Sequence, residues 1–286
     1  VHIQHFFDPR TSTLTYVAHE GGRGVVIDPV RDYDAASGHT SWASAEAVAR
    51  YVDGEGLEIP FVIDTHAHAD HMSGLPFFQE RYGAASVTGA RVGEVQETFR
   101  DVYGLGPDFP VDGSQFDALL DEGESLDVGS FRVAALHTPG HTPAHMSWRV
   151  GDAVFVGDTL FAPDYGTARC DFPGGSAEQL YDSIQRIYGL PDATRLFLCH
   201  DYRPGDRELV VETTVAEQKR ANVQLNENTT REDYVAFRTK RDAELSMPKL
   251  ILPSLQVNVR AGRLPEPDPN GVAYLRIPLD FDCHEA

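Results

Sequence analysis

Residues 66–71 read His66-Ala67-His68-Ala69-Asp70-His71, three imidazoles and a carboxylate directly after the apolar run Pro60-Phe61-Val62-Ile63-Asp64-Thr65. No other feature constrains the fold as tightly. The run is expected to be a buried strand, so the cluster sits where that strand leaves the core. Where the chain is still extended, His66 and His68 point the same way, because alternate side chains share a face. Asp70 and His71 then fall on the following turn. Imidazole and carboxylate donors together suit Zn, Fe or Mn. The competing reading is a polar surface loop that happens to be rich in histidine. Four ligand-type residues abutting Phe61-Val62-Ile63 favour the metal.

Three other expected strand ends offer further ligands. His141 follows Thr138-Pro139-Gly140, Asp158 follows Val154-Phe155-Val156-Gly157, and His200 follows Leu196-Phe197-Leu198-Cys199. The glycines before His141 and Asp158 permit sharp turns. If these ends lie along one edge of the sheets, the ligands converge. Each position alone is weak, and the shared context is the signal. His137 and His145 are candidates to bond the second nitrogen of a metal-bound imidazole, against a simpler packing or surface role. His2, His5, His19, His39 and His284 are expected in turns or termini, in contact with water. Cys199 is expected to be a small buried hydrophobe. Cys170, in a loop after Asp158, would offer a thiol exposed near the metal if it is not merely structural.

The 286 residues, 41% hydrophobic, suffice for one large core or two smaller ones. A net charge of −20 repels phosphate backbones and anionic lipids, which argues against nucleic-acid and membrane partners. An anionic substrate therefore needs a local basic pocket. Cys170, Cys199 and Cys283 are odd in number and far apart, so no disulfide framework is implied and a cytoplasmic setting fits. No apolar run is long enough to span a bilayer, and the opening Val1-His2-Ile3-Gln4-His5-Phe6 lacks a signal-peptide pattern. Val at position 1 suggests a trimmed start, compatible with a removed leader.

The patterning predicts a hairpin over Thr13–Ile27, helices near 43–51, 76–82, 92–103 and 176–188, and strands near 60–65, 85–88, 131–136, 146–150, 153–156 and 195–199. Ser176 and Gln179 form a capping-box pattern at the start of the fourth helix. Gly104–Ser114 is expected to be a loop and a lid or entrance wall. A polar helical tail follows from about Val211 to Leu245. Two interior sheets with helices outside, an α+β architecture, is the expectation. The chain reads as one domain over 1–286, with a core of about 1–205 and a C-terminal extension of about 206–286 packed on it.

In order, His66-x-His68-x-Asp70-His71, His141, Gly157-Asp158 and His200 resemble the metal motifs of the metallo-β-lactamase superfamily, over about Thr13 to His200. The resemblance implies a four-layer αβ/βα sandwich with the metal at one edge of the sheets. Pro139-Gly140-His141-Thr142 and Gly157-Asp158-Thr159-Leu160-Phe161 resemble its glyoxalase II group. Arg169-Cys170-Asp171-Phe172, His200-Asp201-Tyr202 and the segment Leu252–Arg263 resemble the persulfide dioxygenase branch, with Cys170 in place of the usual Thr. That branch implies one Fe(II) per chain held by His66, His141 and Asp158, with glutathione persulfide and O2 as substrates and sulfite and thiol as products. His68, Asp70, His71 and His200 would then surround the metal without binding it. A homodimer is plausible by the same resemblance.

The acidic surface makes Arg169, Arg260, Arg263 and Lys249 candidates for a basic substrate pocket, and Tyr202 a candidate hydrogen-bond donor. Arg169 reads equally well as an ion pair with Asp171. The rival reading is a hydrolase with two Zn, Fe or Mn ions. In it His66, His68 and His141 bind one ion, Asp70, His71 and His200 the other, and Asp158 bridges them to activate water against a thioester. A metal-sensing partner without turnover is a third reading, opposed by the complete ligand set. A nuclease is opposed by the charge.

Overall fold

Alternating and β-branched runs open the chain, and the strands they form precede the first helix in sequence. In the computed structural model, which describes residues 1–280, they are β1 (His2–Asp8), β2 (Thr13–Glu20), β3 (Arg23–Ile27), β4 (Val30–Asp34) and β5 (His39–Ser41). Next come α1 (Ala43–Glu55), β6 (Glu58–Ile63), β7 (Met72–Ser73), α2 (Leu75–Tyr82), β8 (Ala85–Gly89), α3 (Val92–Val102), β9 (Ala118–Leu120) and β10 (Ser125–Asp127). The second half holds β11 (Arg132–His137), β12 (Met146–Val150), β13 (Ala153–Phe155), α4 (Ala177–Tyr188), β14 (Arg195–Phe197) and β15 (Glu212–Thr214). It closes with α5 (Val215–Ala221), α6 (Arg231–Asp242) and α7 (Ile251–Asn258). Cys283 and His284 lie outside the described residues.

Six strands in the order β1-β2-β3-β6-β8-β9 form one sheet, and β10-β11-β12-β13-β14-β15 form the second. A small third sheet, β5-β4-β7, lies at the side. Parallel neighbours need crossovers, and the crossovers carry the chemistry. His66–His71 and α2 connect the parallel pair β6 and β8. Asp158, the 161–172 segment and α4 connect the parallel pair β13 and β14.

The inner faces of the sheets share one apolar core, including Leu14, Tyr16, Ile27 and Ile63 against Met146, Trp148, Phe155 and Leu196. Tyr16 spans it, donating its hydroxyl to Leu198 O at 2.5 Å and Val211 O at 3.2 Å. Outside the first sheet, Val17, Val26 and Val62 pack with Val48 and Val52 of α1 and Leu75 and Phe78 of α2. Outside the second, the stripe Leu180, Ile184 and Ile187 of α4 is buried, and Ser176 caps that helix by accepting Gln179 N at 3.3 Å. This is the four-layer αβ/βα sandwich. Its two sheets are sewn together at one end: Leu14 N donates to Cys199 O at 2.7 Å, Met146 N to Thr65 O at 2.8 Å and Asp201 N to Ser12 O at 3.1 Å.

Several expectations change. His2, His5, His19 and His39 lie in strands rather than turns. His2, His5 and His39 are exposed there, while His19 bonds Tyr51 Oη at 2.8 Å. β1 is the edge strand of its sheet, so His2 and His5 reach water from it without any turn being needed. The 211–245 tail is two helices broken at residues 222–230, and β15 carries the second sheet past residue 205. Among the described residues, no helix is long and apolar enough to cross a membrane.

Candidate metal centre

β6 ends at Ile63, so the histidine cluster lies on an irregular loop rather than a continuing strand. What shapes that loop is Asp28, buried at the end of β3 with a left-handed φ of 50°. Its carboxylate accepts Thr65 N at 2.7 Å, Thr65 Oγ1 at 3.0 Å and His68 Nε2 at 3.1 Å. Such a conformation costs an aspartate energy, and the three bonds hold it.

Two groups of donors result. Ligand atoms of His66, His141 and Asp158 all lie within 4.8 Å of one another, as do those of His68, Asp70, His71 and His200. Asp158 stands between the groups. Its Oδ2 is 4.0 Å from His66 Nε2 and 3.7 Å from His141 Nε2, and its Oδ1 is 3.4 Å from His200 Nε2. His66 and His68 do not act together as alternation suggested. Their rings lie 4.2 Å apart, yet His68 is drawn to Asp28 and into the second group. The two-residue period fails because the strand has already ended.

The fit of a cation can be judged from the donors themselves. His66 Nε2, His71 Nε2, His200 Nε2 and Asp158 Oδ1 are buried without a hydrogen-bond partner. Orphaned buried polar atoms are rare, and these fall in both groups, His66 in the first and His71 and His200 in the second with Asp158 between, so each group presents free donors to a cation. Burial and the surrounding imidazoles hold His66 well below the ordinary histidine range, which keeps it neutral as a ligand must be. His68 behaves oppositely. Burial opposes its charge, but Asp28 and Asp64 outweigh it and raise the group to about 9.

Supporting contacts orient the first group. His66 Nδ1 meets Thr65 Oγ1 at 2.9 Å, and His141 Nδ1 donates to Arg169 O at 2.8 Å. His145 plays a part the sequence did not suggest: its Nε2 accepts Asp158 N at 2.9 Å and so anchors a backbone rather than a ligand ring. Gly157 makes room for it, since a Cβ there would lie 2.4 Å from His145 Nε2, and its φ is +52°. His137 Nε2 donates to Pro143 O at 2.9 Å, away from the donors. Cys199 is buried, with Sγ 3.6 Å from Asp28 Oδ2. Cys170 is buried too, which fits the structural reading and not the exposed thiol, because Asp242 Oδ2 holds its amide at 2.8 Å and pins the loop under α6.

A cavity of about 1110 Å³ opens over Asp70, His141 and Asp158. Phe161, Tyr165, Phe172 and Tyr202 give it aromatic walls. Of the expected substrate contacts, Arg169, Lys249 and Tyr202 line it. Arg169 also pairs with Asp171 and donates to Ser246 O at 2.8 Å, so the ion pair and a place on the cavity wall occur together. Arg260 and Arg263 do not line it. Arg260 lies over the Phe109 ring at 4.8 Å and Arg263 donates to Gln79, because α7 directs them to the far side of the ligand loop. The 104–114 loop packs there as well and forms no wall of the cavity. Arg10 and Arg241 line it instead. Neither carries a sequence signal, one being in a turn and the other in a polar helix.

Comparison with known proteins agrees with this architecture. Residues 8–200 match the model of the metallo-β-lactamase superfamily. A probable metallo-hydrolase of Burkholderia pseudomallei is 50% identical, over 97% of this chain and 99% of that protein. A β-lactamase hydrolase-like protein of Agrobacterium fabrum is 50% identical over 98% of this chain, which spans only 65% of that protein's length. A mitochondrial persulfide dioxygenase of Bos taurus is 27% identical, over 91% of this chain and 88% of its own. The crystal structure of ETHE1 from Myxococcus xanthus matches with a TM-score of 0.73 at 29% identity, over 92% of this chain and 100% of that one.

Proposed function

The chain belongs to the metallo-β-lactamase superfamily, and from that premise we propose that it is a persulfide dioxygenase acting on glutathione persulfide or a related small persulfide. The observation that carries this reading is the grouping of His66 and His141 with the single carboxylate Asp158, while His68 is engaged by Asp28. Two imidazoles and one carboxylate beside an open cavity are the donor set of non-haem Fe(II) oxygenases. One Fe(II) per chain would supply the one-electron chemistry through which O2 reacts with sulfur. The reaction balances as one persulfide, one O2 and one water giving one thiol, one sulfite and two protons.

The chain's own residues bind and orient. Arg169 O fixes the His141 ring, and His145 fixes the Asp158 backbone. Phe161, Tyr165, Phe172 and Tyr202 offer apolar ring faces to the reacting sulfur. Arg241 and Lys249, with no ion-pair partner among the described residues, offset the net charge of −20 locally and suit a substrate carboxylate. His200 Nε2, 3.3 Å from Asp70 Oδ2, is placed to take up a released proton. Buried free thiols at Cys170 and Cys199 fit the expected cytoplasmic setting.

A second reading has its own support. His68, Asp70, His71 and His200 form a second donor group, and one relative carries a metallo-hydrolase name. A two-metal thioester hydrolase would use both groups, with Asp158 between them. The test is metal content of protein purified without added metal, together with O2 uptake on glutathione persulfide and hydrolysis of S-lactoylglutathione. One iron with O2 uptake supports the dioxygenase. Two ions with thioester hydrolysis and no O2 uptake overturn it.

A further inference from the structure

We propose that Asn258 is a positioning residue for the metal loop, and that α7 is in this way a working part of the centre. Asn258 ends α7, 58 residues beyond the last residue of the superfamily match. Its side chain is 3% exposed and reaches across to the loop carrying the histidine cluster. Its Oδ1 accepts Ser73 N at 2.8 Å, and its Nδ2 donates to His68 O at 2.7 Å and His71 O at 2.8 Å. Both amide protons are therefore spent on carbonyls of the loop, and the oxygen on its one outlying N–H.

Only a primary amide meets this demand. An aspartate would turn an acceptor toward two carbonyls, and an aliphatic residue would orphan three buried backbone groups. The three bonds bracket residues 68–73, which include Asp70 and His71, and His66 lies two residues before the bracket. Side-chain positions at a metal site follow from where the backbone is held, so such contacts act on the metal at one remove.

The seating of α7 points the same way. Gly262 has a φ of +78° and lies so close to the loop that a Cβ would fall 2.7 Å from Ser73 O and from Pro76 Cδ. Gln96 Nε2 holds the turn after α7 by donating to Val259 O at 3.0 Å. Tyr103 Oη donates to Ile251 O at 3.3 Å at the start of the helix. The segment is clamped at both ends, with Asn258 aimed at the loop between them. The sequence had pointed to this segment for Arg260 and substrate. The geometry gives it a backbone task instead, and the task is the same for a dioxygenase and for a hydrolase. The inference rests only on the His66–His71 loop being the metal loop.

The experiment compares the full chain with Asn258→Ala, Asn258→Asp and a control, Gln256→Ala. Gln256 is in the same helix and bonds Leu252 O and the Arg276 backbone rather than the loop. Co(II) affinity and the visible absorption of the Co(II) form are read beside the thermal midpoint of the metal-free protein. Both Asn258 variants are expected to bind Co(II) about 10- to 100-fold more weakly with altered absorption bands. Gln256→Ala is expected to lower the midpoint without moving either metal readout. Asn258 variants with unchanged affinity and absorption overturn the proposal. Should neither variant fold, amide hydrogen exchange on the metal-free wild type decides. A protected Ser73 amide supports the clamp, and a freely exchanging one overturns it. Failure of the wild type to bind Co(II) sinks the metal reading itself, and the Ser73 exchange still tells whether Asn258 holds the loop.

Discussion

His145 is the side chain whose removal has the most calculable effect. It is fully buried, and burial together with the neighbouring His141 keeps it neutral, so its Nε2 is free to accept Asp158 N at 2.9 Å. In His145→Ala that amide loses its partner inside the protein, costing about 1–3 kcal/mol. Thr138 Oγ1, the other contact of the ring, keeps Ser147 Oγ at 2.9 Å and adds no orphan. The lost imidazole leaves a void on the order of 60 Å³, which at about 24 cal/mol per Å³ adds roughly 1.5 kcal/mol. The sum is about 2.5–4.5 kcal/mol, measurable by urea unfolding of the metal-free protein. A slackened Asp158 should also weaken Co(II) binding by about 10- to 100-fold. His145→Gln places an amide oxygen near the original Nε2 and should restore most of both. If the alanine variant loses less than about 0.5 kcal/mol, or glutamine and alanine behave alike, the anchoring role is refuted.

Other outcomes follow from the same coordinates. Gly157→Ala should weaken Co(II) binding at least as much as His145→Ala does, because the added Cβ would displace His145 and press on Thr65; a metal titration checks it. Tyr16→Phe should cost about 1–2 kcal/mol by leaving Leu198 O and Val211 O without their phenol. Burial, with Cys199 and Asp28 nearby, raises the Tyr16 phenol well above its ordinary value. The folded state therefore favours the neutral form. Its contribution is intact below the ordinary phenol value of about 10 and is lost as pH rises above it. Circular dichroism through an alkaline titration should show unfolding that Tyr16→Phe moves to higher pH. Lys249→Ala and Arg241→Ala should each raise KM for glutathione persulfide several-fold at little cost in kcat; an unchanged KM would remove them from the substrate path.

The core was legible because its residues follow simple periods. Leu180, Ile184 and Ile187 mark the buried stripe of α4, and Ser176 marks its cap. The donors were legible because His66, His141, Asp158 and His200 each stand just past an apolar run. How they divide was not, since His68 is claimed by Asp28, 40 residues earlier, and no local pattern reports that bond. The same holds for His145 and Asn258, which act on backbone groups and could sit in any polar position. Arg260 misled because a basic residue in an acidic chain suggests substrate, while its direction depends on how α7 docks. The polar loop around Cys170 left its exposure open, because the cover comes from α6, 72 residues further on.

The hydrogen bonds from Leu14 to Cys199, from Met146 to Thr65 and from Asp201 to Ser12 have a mechanical consequence. They bind the two sheets along one margin, as a spine binds the covers of a book, and the donor groups lie at that spine. Thermal opening of the covers is largest at the fore-edge and smallest beside the spine. Donors that come from different covers, such as His66 after β6 and Asp158 after β13, are thus held at their spacing by the bonds beside them.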